Sequence, residues 1–485
     1  MLIGDQPMSN THLVGNSIRT YRTGGLELFD HFNRKLGLSE IMNAHKSRGV
    51  PLGGIVKILV SELSVEPISV LQAVNSAGEN MSGAHDGCKE TCMLQACYRA
   101  LGIIGSNADL IYEEVFSAVR IHYDLDMRML YYDGTSTFLS GEGCALAKHG
   151  KSKDHRPDKP QVNIGLAVNG AEPVVPVVSS VTEGNVHDAP HFEKDFEQLK
   201  SRAPKGALFV FDKGVDSLKN RKMIHGGGFH FLTACKIHEP MKAEMRKRKS
   251  LLKEILRHPS GDKILTAEWE EGGLHYALFL DERRQKSDAR KRQEKIAKAE
   301  KEWEALDMIR RKKGTRALHR KLAKKIKRSL ATQNCIIEQK ISMQQRLAPK
   351  KDVMEIFRVD EDIDGMFVLV SDKKMSAKRM LKNYRKKAVI EKVFSDIKSV
   401  LKLHPLRVWN DDRVRGLVLL KVVCVLLLSL LQMERKELRS VAKSTLALML
   451  KSLTVVVKIS KNGTKTVLGY DCRHEILARA FRLKS

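Results

Sequence analysis

Negative charge is scarce in this chain. Its 485 residues include 57 Asp and Glu against 85 Lys and Arg, a formal charge of +28, with a pI near 9.7. That imbalance points to a polyanionic partner, nucleic acid first, because neutralising phosphates releases counterions and gives affinity without reading sequence. Ribosome-associated and membrane-surface proteins share such a charge, so charge alone does not choose between them. A secreted disulfide pattern is also lacking: the eight cysteines, at 88, 92, 97, 144, 235, 335, 424 and 472, are scattered, which favours a reducing cytoplasm. Cys88, Cys92 and Cys97 do not form the paired CxxC of a zinc site, and no His follows at finger spacing, so structural zinc is not expected. The opening MLIGDQPMSNTHLVGNS has neither a basic lead nor an apolar core, and no signal peptide is expected. The most apolar run, Leu417 to Leu431, is short for a membrane span and contains Lys421, so a buried helix is expected and no membrane.

What is present is a 42% hydrophobic chain, enough for a sizeable core and for two to four domains. Residues 1–125 read as helical: Leu26, Phe29, Phe32 and Leu36 fall at helical spacing before Gly37, and Ile55, Ile58, Leu59 and Leu63 form a second apolar face. Residues 126–238 change to strands, at Met129 to Asp133, Gln161 to Val168 and Val174 to Val181, and then alternate helices with strands. Strands first and alternation afterwards predict an α/β mixed sheet. Residues 239–365 interrupt it with a β-hairpin, Ile264 to Trp269 and Leu274 to Leu280, and a long basic helical stretch from Asp281 to Leu330. Its apolar positions are too sparse for a coiled-coil seam, so a solvated helical excursion or hairpin is expected. Residues 366–435 return to the core, and 436–485 form an appendage with a hairpin signal at Asn462-Gly463.

Three carboxylates stand out. In RMLYYDGTSTFLSG, β-formers lead into Asp133 and a Gly-Thr-Ser turn; in ALFVFDKGVDS, a buried strand ends at Asp212. A lone carboxylate at the end of an apolar strand is costly to desolvate, although each Asp is also able to cap its following turn. The third is Glu391 in YRKKAVIEKVFSDIK, where Tyr384, Lys387, Glu391 and Lys398 are spaced by three, four and seven and share one face of a continuous helix. A carboxylate flanked by cations suits a metal–phosphate site; the plainer alternative is a surface helix laced with ion pairs.

These segments resemble the DDE transposases of bacterial and archaeal insertion sequences in the group with the YREK signature, over roughly Arg128 to Gln432. The signature is Tyr, two residues, Arg, three residues, Glu, six residues, Lys; Tyr384, Glu391 and Lys398 match it, with Lys387 in place of Arg. Family-like neighbours are SKDHRPDKPQVNIGLAV, EGNVHD and LHPLRVWNDDRVRG. The resemblance implies a ribonuclease H-like core interrupted by an insertion, and an N-terminal helical domain that binds transposon ends. It also implies a metal-binding triad of Asp133, Asp212 and Glu391, an insertion that contacts the cleaved end, and a homodimer that cuts two ends together.

Such a site would hold two Mg²⁺ or Mn²⁺ ions about 4 Å apart on hard oxygen ligands. One would activate water and later a DNA 3′ hydroxyl, and the other would stabilise the leaving oxygen. Lys387 and Lys398 would bind phosphates at the end and Tyr384 would stack or hydrogen-bond there. Lys at 387 lacks the planar fork of Arg. Lys153, His155 and Arg156 form a polar loop that is either a turn with ion pairs or a DNA-backbone contact; Asp154 and Asp158, in the same loop, rank below Asp133. The expected function is transposition on double-stranded DNA, with inverted-repeat ends and a target, in a prokaryotic cytoplasm at the nucleoid. The rivals are a catalytically inactive DNA-binding derivative and a ribonuclease H-like nuclease that cuts without joining.

Overall fold

The computed structural model describes residues 17–66, 68–79, 90–326, 337–339, 345–347, 351, 355, 357–400, 406–460 and 464–483. The chain opens with β1 (Ser17–Arg22), followed by α1 (Gly24–Leu36), α2 (Leu38–Ala44), α3 (Leu52–Val65), α4 (Val70–Glu79), α5 (Glu90–Ser106) and α6 (Ala108–His122). Next come β2 (Met129–Phe138), β3 (Gln161–Asn169), β4 (Pro176–Glu183), α7 (Asp188–Arg202), β5 (Leu208–Phe211), α8 (Leu218–Gly226) and β6 (His230–Ala234). Then follow α9 (Glu239–Arg248), β7 (Lys253–Arg257), β8 (Lys263–Glu271), β9 (Leu274–Asp281), α10 (Glu282–Ile326), β10 (Ile337–Gln339), β11 (Gln345–Leu347), β12 (Met366–Ser371) and α11 (Ala377–Arg385). The last elements are α12 (Ala388–Ser395), α13 (Asp411–Glu434), α14 (Lys443–Lys451), β13 (Thr454–Ile459), β14 (Lys465–Asp471) and α15 (Glu475–Phe481).

Two compact units result. The first comprises residues 1–231 and 385–485, the second 232–384. The described parts of the helical start and of the last segment both belong to the first unit.

In the first unit a mixed sheet runs β4-β3-β2-β5, with β6 entering beside β5. β2 is antiparallel to β3 and parallel to β5. An aromatic cluster fixes α7 under it: the Phe192 ring lies 4.9 Å from Tyr132, 5.6 Å from Phe211 and 5.9 Å from Phe196. The helices α3, α5 and α13 pack together. α13 is long and apolar enough to cross a membrane, but 94% of its apolar window is buried in the unit, and a helix that is apolar all round belongs in a core. Its backbone meets α5 where Gly105 and Gly416 face each other, since a Cβ on Gly416 would come within 2.1 Å of the Leu101 carbonyl oxygen.

Sequence reading missed β1. It pairs antiparallel with β13, Ser17 opposite Ile459 and Arg22 opposite Thr454, and β14 completes a three-stranded sheet. Local periodicity carries no sign of a partner at the far end of the chain. Asn462 and Gly463 lie outside the described residues.

In the second unit the strand order is β6-β12-β9-β8-β7. β8 and β9 form the expected hairpin, and the long basic stretch is one helix, α10. The acidic segment before β12 is neutralised internally: Asp360 and Asp362 pair with Lys242 and Arg246, and Asp364 with Arg292. Arg290, Lys291, Lys295, Lys298 and Lys301 on α10 remain exposed.

Candidate active site

The parallel ladder between β2 and β5 pairs Met129 with Leu208 and ends at Tyr132 opposite Phe211. Asp133 and Asp212 are the next residue on each strand, so the register places the two carboxylates side by side. Side chains alternate along a strand: Tyr132 faces α7 through Phe192, and Asp133 faces the other way, toward Lys387. Sequence reading ended the strand at Asp133 and expected a Gly-Thr-Ser turn. The structure corrects this, since β2 continues to Phe138 because β3 pairs along its whole length, Gly134 opposite Gly165 and Ser136 opposite Asn163.

Glu391 lies in the first turn of α12, where the helix dipole favours an acidic side chain. The expected continuous helix from Tyr384 to Lys398 is also corrected. It breaks at Lys386 and Lys387, where the amides of Val389 and Ile390 donate to the carbonyls of Lys386 and Lys387 in tighter i→i+3 bonds. Tyr384 therefore sits on α11, half-buried, in the second unit, and does not share a helix face with Glu391. Beyond α12 the turn widens into a π segment, Asp396–Val400. Lys398 on that segment pairs with Asp154 at 2.6 Å, both side chains mostly buried.

Lys387 is what joins the carboxylates. Its ammonium donates to Asp133 Oδ2 at 3.1 Å and lies 3.6 Å from Glu391 Oε1 and 3.8 Å from Asp212 Oδ2. Burial alone would push the ammonium down, but the charges of Asp133, Asp212 and Glu391 outweigh it and hold its pKa above the ordinary value. Three hard oxygen donors from β2, the end of β5 and α12 thus converge on one cation. Among the described residues, no three His, Cys, Asp or Glu side chains are grouped to hold a metal ion as they stand. The donors suit Mg²⁺ or Mn²⁺ in kind, and Lys387 now stands among them.

His155 is exposed, in the left-handed region at φ 56°. Arg156 pairs with Asp158 at 2.8 Å and stacks over Phe138 at 5.2 Å, and its guanidinium holds the Asp158 carboxyl down to about 2. Lys153, expected with that polar loop, and Asp188, which carries no site role in the sequence, lie close by. Lys153 donates to the Gly134 carbonyl at 2.5 Å and approaches Asp188 at 3.3 Å. A sequence signal for this neighbourhood is a glycine just past each aspartate, Gly134 one residue after Asp133 and Gly214 two residues after Asp212. Behind β2, burial pushes the Asp195 carboxyl up to about 6 although Tyr132 donates to it at 2.7 Å. Burial also lowers His191 to about 4, beside the Ser180 and Thr182 hydroxyls.

The family described as "Transposase DDE domain" matches residues 124–428, which span β2, the end of β5 and α12. The chain belongs to the DDE transposase family. No curated protein matches it. Among solved structures this transposase-family chain is similar to a chain in a cryo-EM structure of the piggyBac transposase synaptic complex with hairpin DNA, at 9% identity and a TM-score of 0.44, over 88% of this chain and 78% of that one.

Proposed function

We propose that this chain is the DNA transposase of an insertion sequence in the group with the YREK signature. It binds terminal inverted repeats and catalyses metal-dependent cleavage and strand transfer, with Asp133, Asp212 and Glu391 as ligands to two Mg²⁺ or Mn²⁺ ions. The observation that carries this is the approach of all three carboxylates, from separate elements, to within 3.8 Å of the Lys387 nitrogen. The strand-helix order around them supports the reading of a ribonuclease H-like core. The metal ions, when bound, supply activation of the attacking oxygen and stabilisation of the leaving oxygen.

The chain's own residues do the rest. Asp133 and Asp212, each one residue beyond the β2–β5 ladder, hold their carboxylates at one level, and Glu391 closes the set from α12. In the first step a water oxygen attacks phosphorus, the bond to the 3′ oxygen breaks and a free 3′ hydroxyl is left. In the second, that hydroxyl attacks a target phosphodiester and displaces another 3′ oxygen. Lys387, displaced from the carboxylates, neutralises the scissile phosphate. The exposed cations of α10 bind the DNA backbone, with Tyr384, His155 and Arg156 as further end contacts. The protein works as a homodimer on two ends, in a prokaryotic cytoplasm at the nucleoid.

The test is cleavage and joining of a labelled duplex carrying the inverted repeats that flank the gene, with Mg²⁺. Asp133→Ala, Asp212→Ala and Glu391→Ala should each abolish both reactions and keep end binding. Wild type that binds the ends yet cuts nothing under Mg²⁺ or Mn²⁺ sinks the catalytic reading, and cutting without joining makes the protein a nuclease.

A further inference from the structure

The β2–β5 ladder ends one residue before Asp133 and Asp212, so something else must set the spacing of the two segments beyond it. The side chain found there is Asp188, the first residue of α7. Its Oδ1 lies 2.8 Å from where a Cβ on Gly134 would stand, and its Oδ2 lies 2.8 Å from where a Cβ on Gly214 would stand. One carboxylate therefore abuts the residue after Asp133 and the second residue after Asp212. Both approaches are closer than a real Cβ tolerates, so an alanine at either position would have to push the Asp188 carboxylate aside.

The placement of Asp188 is built from several sides. Asn163 on β3 donates to the Val186 carbonyl at 2.6 Å, and Asn220 on α8 donates to the Ala189 carbonyl at 3.2 Å, which anchors the chain on either side of it. Lys153 bridges Asp188 to the Gly134 carbonyl, and its own amide donates to Ser136 Oγ on β2 at 2.9 Å. Asp188 approaches β2 from the Gly134 side, and alternation points the Asp133 carboxylate to the opposite face. It is thus placed to hold the backbone, not to ligate.

We propose that Asp188 is a positioning residue, a wedge that holds the Asp133 and Asp212 segments at the separation metal binding needs, with Gly134 and Gly214 shaped to receive it. The inference rests on the metal-site reading above. Residues behind metal ligands typically alter affinity by about 10- to 100-fold.

The experiment is Mn²⁺ titration of the full chain followed by electron paramagnetic resonance, with end binding and thermal unfolding as controls. Asp188→Ala should weaken Mn²⁺ binding about tenfold or more, and Asp188→Asn, which keeps the shape, should restore it to near the wild-type value. Gly134→Ala should weaken binding alone but add nothing in the Asp188→Ala background, because the clash is then gone. Wild-type affinity in Asp188→Ala, multiplying losses in the double variant, or an Asp188→Asn as weak as Ala would each overturn the wedge. If Asp188→Ala does not fold, Gly134→Ala and Gly214→Ala decide: wild-type affinity in either overturns it. Wild type that binds no Mn²⁺ overturns the metal-site reading, and the wedge with it.

Discussion

Replacing Lys387 with Met keeps the apolar stem and removes the cation that three carboxylates share. Its three ion pairs are unequal. The Lys387 and Asp133 side chains are 8% and 17% exposed, so removing the cation leaves a nearly buried carboxylate uncompensated, which costs about 3–5 kcal/mol. Asp212 and Glu391 are 47% and 65% exposed, and solvent screens each of those pairs to about 0–1 kcal/mol. Lys387→Met should therefore lose about 4 kcal/mol in EDTA, most of it from Asp133. A divalent ion replaces the missing charge, so saturating Mn²⁺ should restore most of that stability, whereas wild type must first displace its own ammonium. Urea unfolding of both proteins, with EDTA and with Mn²⁺, measures the difference. An equal loss under both conditions, or none in EDTA, would refute the assignment of Lys387 as the counter-charge of a metal site.

Two further outcomes follow from groups beside the site. Lys398 and Asp154 are 16% and 12% exposed at 2.6 Å, so Lys398→Met should destabilise by about 3 kcal/mol and couple to Asp154→Asn by at least about 1 kcal/mol in a double-mutant cycle; unchanged stability with weaker, less salt-dependent DNA binding would instead make Lys398 a phosphate contact. The Asp195 carboxyl titrates near 6 in the fold against 3.8 ordinarily, so the folded protein binds its proton more tightly and stability falls as pH rises from about 4 through 6. Asp195→Asn should remove that fall, making the variant about 3 kcal/mol more stable than wild type at pH 8 and equal to it below about pH 4; parallel pH–stability curves would contradict it.

The site was legible in the sequence to the extent that its chemistry is local. Asp133 and Asp212 follow apolar runs that form β2 and β5, and the hairpin β8–β9 and the buried helix α13 were written in composition and turn residues. The break between α11 and α12 was not. Arg385, Lys386, Lys387 and Ala388 are all acceptable helix residues, with no Gly or Pro to mark a stop, so periodicity put Tyr384 and Glu391 on one face and the structure did not. Gly134-Thr135-Ser136 carries turn chemistry, yet pairing with β3 along the full length of β2 overrides it.

By itself the sequence determined which residues are candidates for the chemistry and on what kind of element most of them sit, because strand propensity and the cost of a buried charge are properties of short segments. Tertiary structure alone decided that Lys387 stands among the three carboxylates, that Lys398 turns to Asp154, that β1 closes on β13 and that Asp188 wedges between Gly134 and Gly214. Each is a meeting of segments distant in sequence or a turn imposed by one. Such encounters depend on register and packing in three dimensions, which no periodicity along the chain records.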